Sequence, residues 1–309
     1  ALAAALLISF LIFSDSMNNS WVNWDDDRNF AENELVTNIN SDNFWEITGQ
    51  IFTTDVIGGY NPLTIWTFAL EKMAYGMEDS SWKWWHLDNI LLHLVCVFFV
   101  FIICRKLKLN NWGALLVALL FGIHPMRVES VTWITERKDV LFAAFYFAAL
   151  YYYIRAKLKG KPYGNMPVIM ILFILSGLSK IQAVSLPLSM IAVDYFIDRK
   201  FDWKSILQKA PYFIVSIIIG LMGVMMLESE GVITEDQTQY NFIQRLFIGS
   251  FSYVVYLIKC IYPYRMSPLY PYPSSYETMF YLSDLPFLAL VGFTFYAWKK
   301  QWTAWVFGI

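Results

Sequence analysis

Long apolar runs dominate this chain of 309 residues and decide what it can fold into. The runs cover residues 1–13, 87–104, 112–126, 140–154, 166–178, 183–197, 211–227, 243–262, 284–298 and 301–309. They are continuous rather than alternating, and a helix satisfies all of its own backbone hydrogen bonds inside a bilayer. Only 16% of the residues are charged, against about 25% in a soluble domain, so we predict an all-α polytopic membrane protein.

Both ends of the chain lie inside apolar runs. Residues 1–13 are shorter than the roughly 20 residues of a membrane span, and they lack the basic flank of a signal peptide. The last residues, "WTAWVFGI", are also apolar. We therefore expect residues 1–309 to form a single membrane domain that is truncated at both ends.

Net charge and cysteine usage exclude several other functions. A net charge of −2 offers no basic footprint for nucleic acid, so no nucleic-acid partner is expected. The three cysteines have neither the spacing of zinc ligands nor that of a disulfide framework. All three lie in or at the ends of apolar runs: Cys96, Cys104 and Cys260.

Basic residues set the predicted orientation. Three loops hold 11 of the 23 lysines and arginines: 105–108, 155–161 and 198–209. Basic loops stay in the cytoplasm, so these three are predicted to be cytoplasmic. Segment 15–84 holds 12 of the 25 acidic residues and is predicted to be the first extracytoplasmic loop; 122–139 is then the second. The topology after residue 240 stays open, because the Pro/Tyr-rich stretch around "MSPLYPYP" (266–273) fits either side.

The first loop contains the acidic stretch "NWDDDRN" and an apolar segment, "NPLTIWTFALEKMAYG", that is too short to span a bilayer. The apolar segment favours an interfacial or re-entrant helix, and "SWKWWH" is typical of an aromatic belt. For Asp25, Asp26 and Asp27 two interpretations stay open. They form a solvated turn or helix N-cap, or they supply a catalytic carboxylate just above the bilayer.

The second loop, "GIHPMRVESVTWITERKD", carries three basic residues on a side where they are disfavoured. Its charged and polar residues are His124, Arg127, Glu129, Glu136, Arg137, Lys138 and Asp139. A phosphate ligand would offset the positive charge. Internal ion pairs, Arg127 with Glu129 or Arg137 with Asp139, explain it equally well.

Two other polar groups lie in apolar surroundings. In "HLDNILLH", His86, Asn89 and His93 share one helix face and should point into the bundle, where they act in function or in interhelical hydrogen bonds. For His93 we prefer the structural interpretation. Lys180, in the short outer turn "SGLSKIQAVSLP", either extends to lipid headgroups or neutralises a lipid phosphate.

In this order, "VNWDDDRNFAENELV", "YNPLT", "HLDNILLH", "HPMRVESVTWITERKDVL", "SKIQAVSLPLSMIAVDY" and "MSPLYPYP" resemble one family. It is the membrane portion of the transmembrane-and-tetratricopeptide-repeat proteins, which are C-type glycosyltransferases related to protein O-mannosyltransferases. The resemblance covers nearly the whole chain, and the HPMRVES/ERKD block is its most specific part. The chain departs from the family where Ile181 follows the lysine of the "SK" motif, and it contains no detectable tetratricopeptide repeat.

The resemblance implies a C-type glycosyltransferase fold whose long first extracytoplasmic loop bears interfacial helices. It also implies inverting transfer of a sugar, mannose by family precedent, from a polyprenyl-phosphate donor to a hydroxyl of a protein or glycan. Matching the family's Asn-aromatic-Asp-Asp motif makes Asp25 or Asp26 the expected base. The remaining expected site residues are the phosphate-binding Arg127, Arg137, Lys138 and Lys180, and the supporting His86, Asn89, His93, His124, Glu129 and Asp139.

The expected surroundings of the site follow from the same resemblance. No dedicated metal cage is present, so no cofactor is predicted, and a divalent cation at Asp26 is left open. The expected partners are a polyprenyl-phosphate-linked sugar, an acceptor protein or glycan, and membrane lipid. The site should face the extracytoplasmic side of a bacterial inner membrane, which we favour, or the lumen of the endoplasmic reticulum.

Three other functions compete with this prediction. A transporter or lipid flippase would use the same intramembrane charges without chemistry, but the paired broken helices of two related halves are not evident. A membrane scaffold would not need clustered basic residues on the outer side. A polymerase or ligase acting on lipid-linked sugars would carry its large loop late in the chain.

Overall fold

The computed structural model describes residues 1–54, 59–161, 165–229, 240–267, 270 and 278–308. Its regular elements are all helical, which confirms the predicted all-α class. Most of "MSPLYPYP" lies outside the described residues. The α-helices, in chain order, are α1 (Leu2–Phe13), α2 (Glu34–Thr37), α3 (Phe44–Ile51), α4 (Pro62–Tyr75), α5 (Trp82–Lys106), α6 (Asn111–Gly122), α7 (Val128–Thr132), α8 (Arg137–Leu158), α9 (Met166–Ser179), α10 (Leu186–Asp198), α11 (Trp203–Leu207), α12 (Ala210–Ser229), α13 (Phe242–Ile261), α14 (Thr278–Lys299) and α15 (Thr303–Gly308).

Several of these helices have the length and apolarity of membrane spans. Among the described residues, three qualify by themselves: Trp82–Lys106, Ile181–Asp198 and Thr278–Lys299. A fourth is added if Asn111–Gly122 and Pro125–Thr132, which are bent by 53° at their junction, count as one span. Shorter apolar helices cover Leu2–Asn18, Met166–Ser179 and Ala210–Met226. The protein is therefore an integral membrane protein, as the apolar runs predicted.

The chain divides into two compact units, residues 1–191 with 203–232 and residues 192–202 with 233–309. In the first unit α8 packs against α5 and α9, and α5 also packs against α1 and α6. In the second unit α13 packs against α14, and a capping box of Asn241 and Gln244 begins α13. Every predicted site residue lies in the first unit.

The predicted first loop is itself folded over the beginning of α5. Its core is aromatic, with Phe30 between Phe68, Trp82 and Trp85 at ring-centroid distances of 5.0–5.9 Å. Pro62 occupies the first turn of α4, where its missing N–H costs no hydrogen bond. The helix ends at Gly76, whose φ of +76° suits glycine. The acidic segment is thus held against a packed layer, and the predicted position of that layer at the bilayer interface stays a prediction.

Candidate active site

The second loop and its neighbours enclose a cavity of about 580 Å³. Its polar wall consists of Tyr60, Asn61, Arg127, Glu129, Ser130, Glu136, Lys138, Asp139, Lys180 and Gln182. Its apolar wall consists of Met126, Leu178, Ile181, Ile219 and Met222, with Gly59, Gly177 and Gly223. Five of the predicted site residues therefore line one cavity: Arg127, Glu129, Lys138, Asp139 and Lys180.

The two lysines of the cavity are held by carboxylates. Lys138 Nζ lies 2.8 Å from Glu136, and Lys180 Nζ forms ion pairs with Glu136, at 3.4 Å, and with Asp139. Ser130 Oγ donates to Asp139 at 2.9 Å and fixes that carboxylate. Burial alone would lower the pKa of Lys180, but Asp139 and Glu136 raise it above its usual value, so Lys180 stays charged.

Arg127 differs from the lysines. Its guanidinium lies 5.4 Å from the centre of the Phe121 ring, and within the described segments it has no ion pair with a carboxylate. The alternative interpretation that paired Arg127 with Glu129 is therefore wrong. Burial, with smaller contributions from Glu136 and Asp139, raises the pKa of Glu129. Arg127 is thus the cavity cation whose charge the described residues leave uncompensated.

The alternative pairing of Arg137 with Asp139 is also wrong, because the Arg137 guanidinium does not line the cavity. It forms a buried ion pair with Glu71 of α4. Its Nε donates to Asn89 Oδ1 at 2.7 Å, and its Nη2 donates to the Trp85 carbonyl at 2.9 Å. Burial raises the pKa of Glu71, and the positive charge of Arg137 opposes that rise. With each nitrogen engaged, Arg137 ties α4, α5 and α8 together, a placement that does not favour its predicted contact with phosphate.

The two candidate bases have different surroundings. Asp26 is fully buried, and its Oδ1 accepts from Trp133 Nε1 at 2.8 Å and from Thr135 N at 3.0 Å. Its Oδ2 accepts from Val22 N at 2.9 Å. Burial raises its pKa, although these hydrogen bonds oppose the rise. Asp26 therefore fastens the first loop to the segment that leads directly into the charged wall of the cavity.

Asp25 is half-buried, and within the described segments its carboxylate accepts no hydrogen bond. Its neighbour Trp24 stacks on Trp133, with ring centres 5.4 Å apart. This stacking and the Asp26 contacts hold the backbone on either side of Asp25. Neither aspartate lines the 580 Å³ cavity.

The predicted supporting residues mostly build the framework. Asn89 donates to the Trp133 carbonyl at 3.1 Å and accepts from Arg137. His93 Nε2 lies 2.8 Å from the Gly122 carbonyl of α6, which is the interhelical hydrogen bond expected for it. His124 Nδ1 accepts from Met126 N at 3.2 Å and caps the turn Pro125–Arg127.

His86 is buried at the beginning of α5, where its ring faces the backbone of Asn19, Ser20 and Thr132. Across the described residues, no three His, Cys, Asp or Glu side chains come together as metal ligands. Both oxygens of Asp26 already accept hydrogen bonds, so a cation there would have to displace backbone and indole donors.

Sequence reasoning missed Glu71 and gave Glu136 and Trp133 no specific roles. Glu71 lies in a segment interpreted only as apolar, and a lone carboxylate in such a helix is the signal that could have identified it. Trp133 carries no charge, so its bond to Asp26 could not be read from the sequence. Two glycines of the apolar wall were also missed. A side chain at Gly177 or Gly223 would collide with Ile219 or Ile181.

The apolar helices and the charged cavity define a polytopic membrane protein with a site for a polar substrate. Comparison with protein families names the group. The model described as "Dolichyl-phosphate-mannose-protein mannosyltransferase" matches residues 62–227, more than half of the chain, and the chain belongs to this family. The matched segment contains the cavity residues from Met126 to Gly223, and it begins after Asp25 and Asp26.

Individual relatives agree with the family. The chain is 27% identical over 190 residues to Protein O-mannosyl-transferase Tmtc1 of Drosophila melanogaster, covering 60% of this chain and 21% of the relative. It is 36% identical over 98 residues to human Protein O-mannosyl-transferase TMTC3, covering 32% and 10%. It is 33% identical over 128 residues to human Protein O-mannosyl-transferase TMTC1, covering 38% and 14%. The chain thus spans at most about a fifth of these relatives. No solved structure matches it.

Proposed function

We propose that the protein transfers a sugar, mannose by similarity to its named relatives, from a polyprenyl-phosphate donor to an acceptor hydroxyl on a protein or a glycan. The observation that carries this proposal is the cavity itself. Within the family-matched segment, Arg127 faces it without a carboxylate partner, and two lysines are held beside it by ion pairs. A phosphate is the ligand that this arrangement suits.

The cavity cations would act on the leaving group. The donor phosphodiester carries one negative charge, and cleavage of the bond between the anomeric carbon and the phosphate oxygen adds a second. Arg127 can bind the phosphate with two parallel hydrogen bonds. Lys180 and Lys138, whose charges are balanced by Glu136 and Asp139, can add N–H donors from one side. Fixed cations stabilise the charge that develops in the transition state, so no general acid is needed.

Asp25 is the better candidate for the base. The acceptor oxygen attacks the anomeric carbon from the face opposite the phosphate, which inverts the configuration, and its proton passes to a carboxylate. Among the described residues, no donor occupies the Asp25 carboxylate, whereas the oxygens of Asp26 accept from Trp133, Thr135 and Val22. In this proposal Asp26 is a positioning residue that fixes the loop carrying the base.

The same proposal places the active site on the extracytoplasmic or luminal side of the membrane. The acidic first loop and the basic loops 105–108 and 155–161 support an extracytoplasmic or luminal site, where lipid-linked sugars serve as donors. Both a bacterial inner membrane and the endoplasmic reticulum fit that arrangement.

The test is transfer of radiolabelled mannose from polyprenyl-phosphate-mannose, in membranes expressing the protein or single variants. Asp25→Asn should abolish transfer, and Arg127→Gln should raise the KM for the donor about tenfold or more, the equivalent of about 1.4 kcal/mol. Asp27→Asn is the matched control, since the hydrogen bond that its side chain makes in the described part of the chain is the one Oδ1 accepts from the neighbouring Arg28 N. Full transfer activity of Asp25→Asn would show that Asp25 is not the base. If the wild type bound the donor without transfer and moved it between leaflets, the flippase interpretation would replace this one.

A further inference from the structure

A second concave surface lies at the other end of α8 from the cavity. This basic pocket has a volume of about 420 Å³ and is lined by Lys106, Tyr151, Arg155, Leu158 and Lys159. Lys106 is the last residue of α5, and the other four lie in or directly after the last two turns of α8. The 22 residues of α8 make a helix about 33 Å long, close to the ~30 Å of a bilayer core. The cavity and the basic pocket therefore lie about one bilayer thickness apart along α8.

Within the described segments, no carboxylate compensates the charge of the basic pocket. Lys106, Arg155 and Lys159 line it without an acidic residue, and none of them forms an ion pair with a carboxylate of the described chain. The C-terminal ends of α5 and α8 each contribute about −0.5 charge, which leaves the pocket positive by roughly two charges. At the other end of α8, by contrast, Lys138 and Lys180 are paired with Glu136 and Asp139.

We propose that the basic pocket binds the phosphate of an anionic phospholipid, at a site separate from the proposed catalytic cavity. Arg155 is suited to bind two phosphate oxygens at once, and Lys106 and Lys159 act as point charges beside it. The half-buried Tyr151 and the exposed Leu158 give the pocket an apolar side. The ligand class is therefore a phosphate that carries an apolar chain.

The position of the pocket favours a membrane lipid over a free anion. It lies where two helices end that are each long enough to cross a bilayer core, and phospholipid phosphates are expected near such ends. Acyl chains can continue along the exposed apolar side chains of α5, among them Val95 and Phe98. Basic pockets between helix ends on the cytoplasmic side bind anionic headgroups in this way. The basic loops 105–108 and 155–161 place this end of α8 on the predicted cytoplasmic side.

The test uses the full chain in phosphatidylcholine nanodiscs, with retention of phosphatidylglycerol measured by native mass spectrometry and by titration with a fluorescent analogue. Each cation near an anionic headgroup is worth about fivefold in affinity. Lys106→Gln, Arg155→Gln and Lys159→Gln should each lower phosphatidylglycerol affinity by about that factor, and the triple variant should lose the preference for phosphatidylglycerol over phosphatidylcholine. These side chains are exposed, so elution in gel filtration should not change.

Lys161→Gln is the matched control, because Lys161 lies on the same loop outside the pocket. Its affinity for phosphatidylglycerol should equal that of the wild type. If Lys161→Gln lowered the affinity for phosphatidylglycerol as much as the pocket variants do, general surface charge would explain the binding and the proposed site would be wrong. Displacement of the lipid by inorganic phosphate alone would assign the pocket to a free anion. Equal retention of the two lipids by the wild type would refute the proposal. Sugar transfer is not part of any readout, so the result does not depend on the proposed function.

Discussion

Replacing Asp26 with asparagine tests whether this carboxylate positions the first loop or acts as the catalytic base. The two oxygens of Asp26 accept three hydrogen bonds, from Val22 N, Trp133 Nε1 and Thr135 N. The asparagine amide can place its one oxygen toward Trp133 and Thr135, but its NH2 group then faces the Val22 N–H, donor against donor. One charge-assisted hydrogen bond is lost, and two become neutral.

The expected cost follows from those bonds. A hydrogen bond to a charged group contributes about 1.5–3 kcal/mol. Asparagine also removes the penalty of burying an ionised carboxylate, which offsets part of the loss. We therefore expect Asp26→Asn to lower the free energy of unfolding by about 2 kcal/mol, and to loosen the first loop.

The contribution of Asp26 to the free energy of unfolding depends on pH, and the direction of its pKa shift sets the sign of that dependence. Burial raises the pKa of Asp26 above its ordinary value of 3.8, so the folded protein binds this proton more tightly than the unfolded chain. The contribution of Asp26 to stability is then largest at low pH and falls as the pH rises through the folded pKa. The deficit of Asp26→Asn relative to the wild type should be larger near pH 4 than near pH 7.

The assay combines thermal unfolding of the purified protein, limited proteolysis of residues 15–54 and sugar transfer in membranes. Asp26→Asn should unfold earlier, be cleaved faster and lose part of its activity. Asp25→Asn should lose activity with unchanged unfolding, and Asp27→Asn should change neither. The reasoning is refuted if Asp26→Asn is as stable as the wild type but inactive while Asp25→Asn transfers sugar normally, since Asp26 would then be the base.

The other predictions concern the framework and the apolar wall. Arg137→Ala leaves Glu71 buried without its partner and should destabilise the protein by about 3–5 kcal/mol, measured as loss of folded protein in detergent; normal yield and unfolding would contradict the framework role. Gly223→Ala should displace the Ile181 side chain at the cavity wall and raise the donor KM with little change in kcat, and Ile181→Val in the same chain should restore it. Gly220→Ala in the same helix meets nothing within 4 Å and is the control; an equal effect there would show that the helix, not the cavity, responds.

Much of the fold could be predicted because its signals are local. Apolar runs of 15 to 20 residues predicted helices. The 53° bend between Asn111–Gly122 and Pro125–Thr132 was not predicted. Arg127 and Lys138 of the second loop line the cavity, together with Lys180 from the turn after α9. Most of the ion pairs could not be predicted: Lys138 pairs with its neighbour Glu136, but Lys180 pairs with Glu136 and Asp139, and Arg137 pairs with Glu71.

The class of the protein, its helices and the polar residues available for a site could be predicted from composition, periodicity and contiguous motifs, and the motifs also carried the resemblance to the family. The charges that remain available depend instead on contacts between distant parts of the chain. The tertiary structure joined Arg137 to Glu71, 66 positions away, and Asp26 to Trp133, 107 positions away. Because an unpaired buried charge is costly, these side chains take partners that the fold brings close, even when they are distant in sequence. Among the described residues, Arg127 has no carboxylate partner and the Asp25 carboxylate accepts no hydrogen bond, and these two residues carry the proposed chemistry.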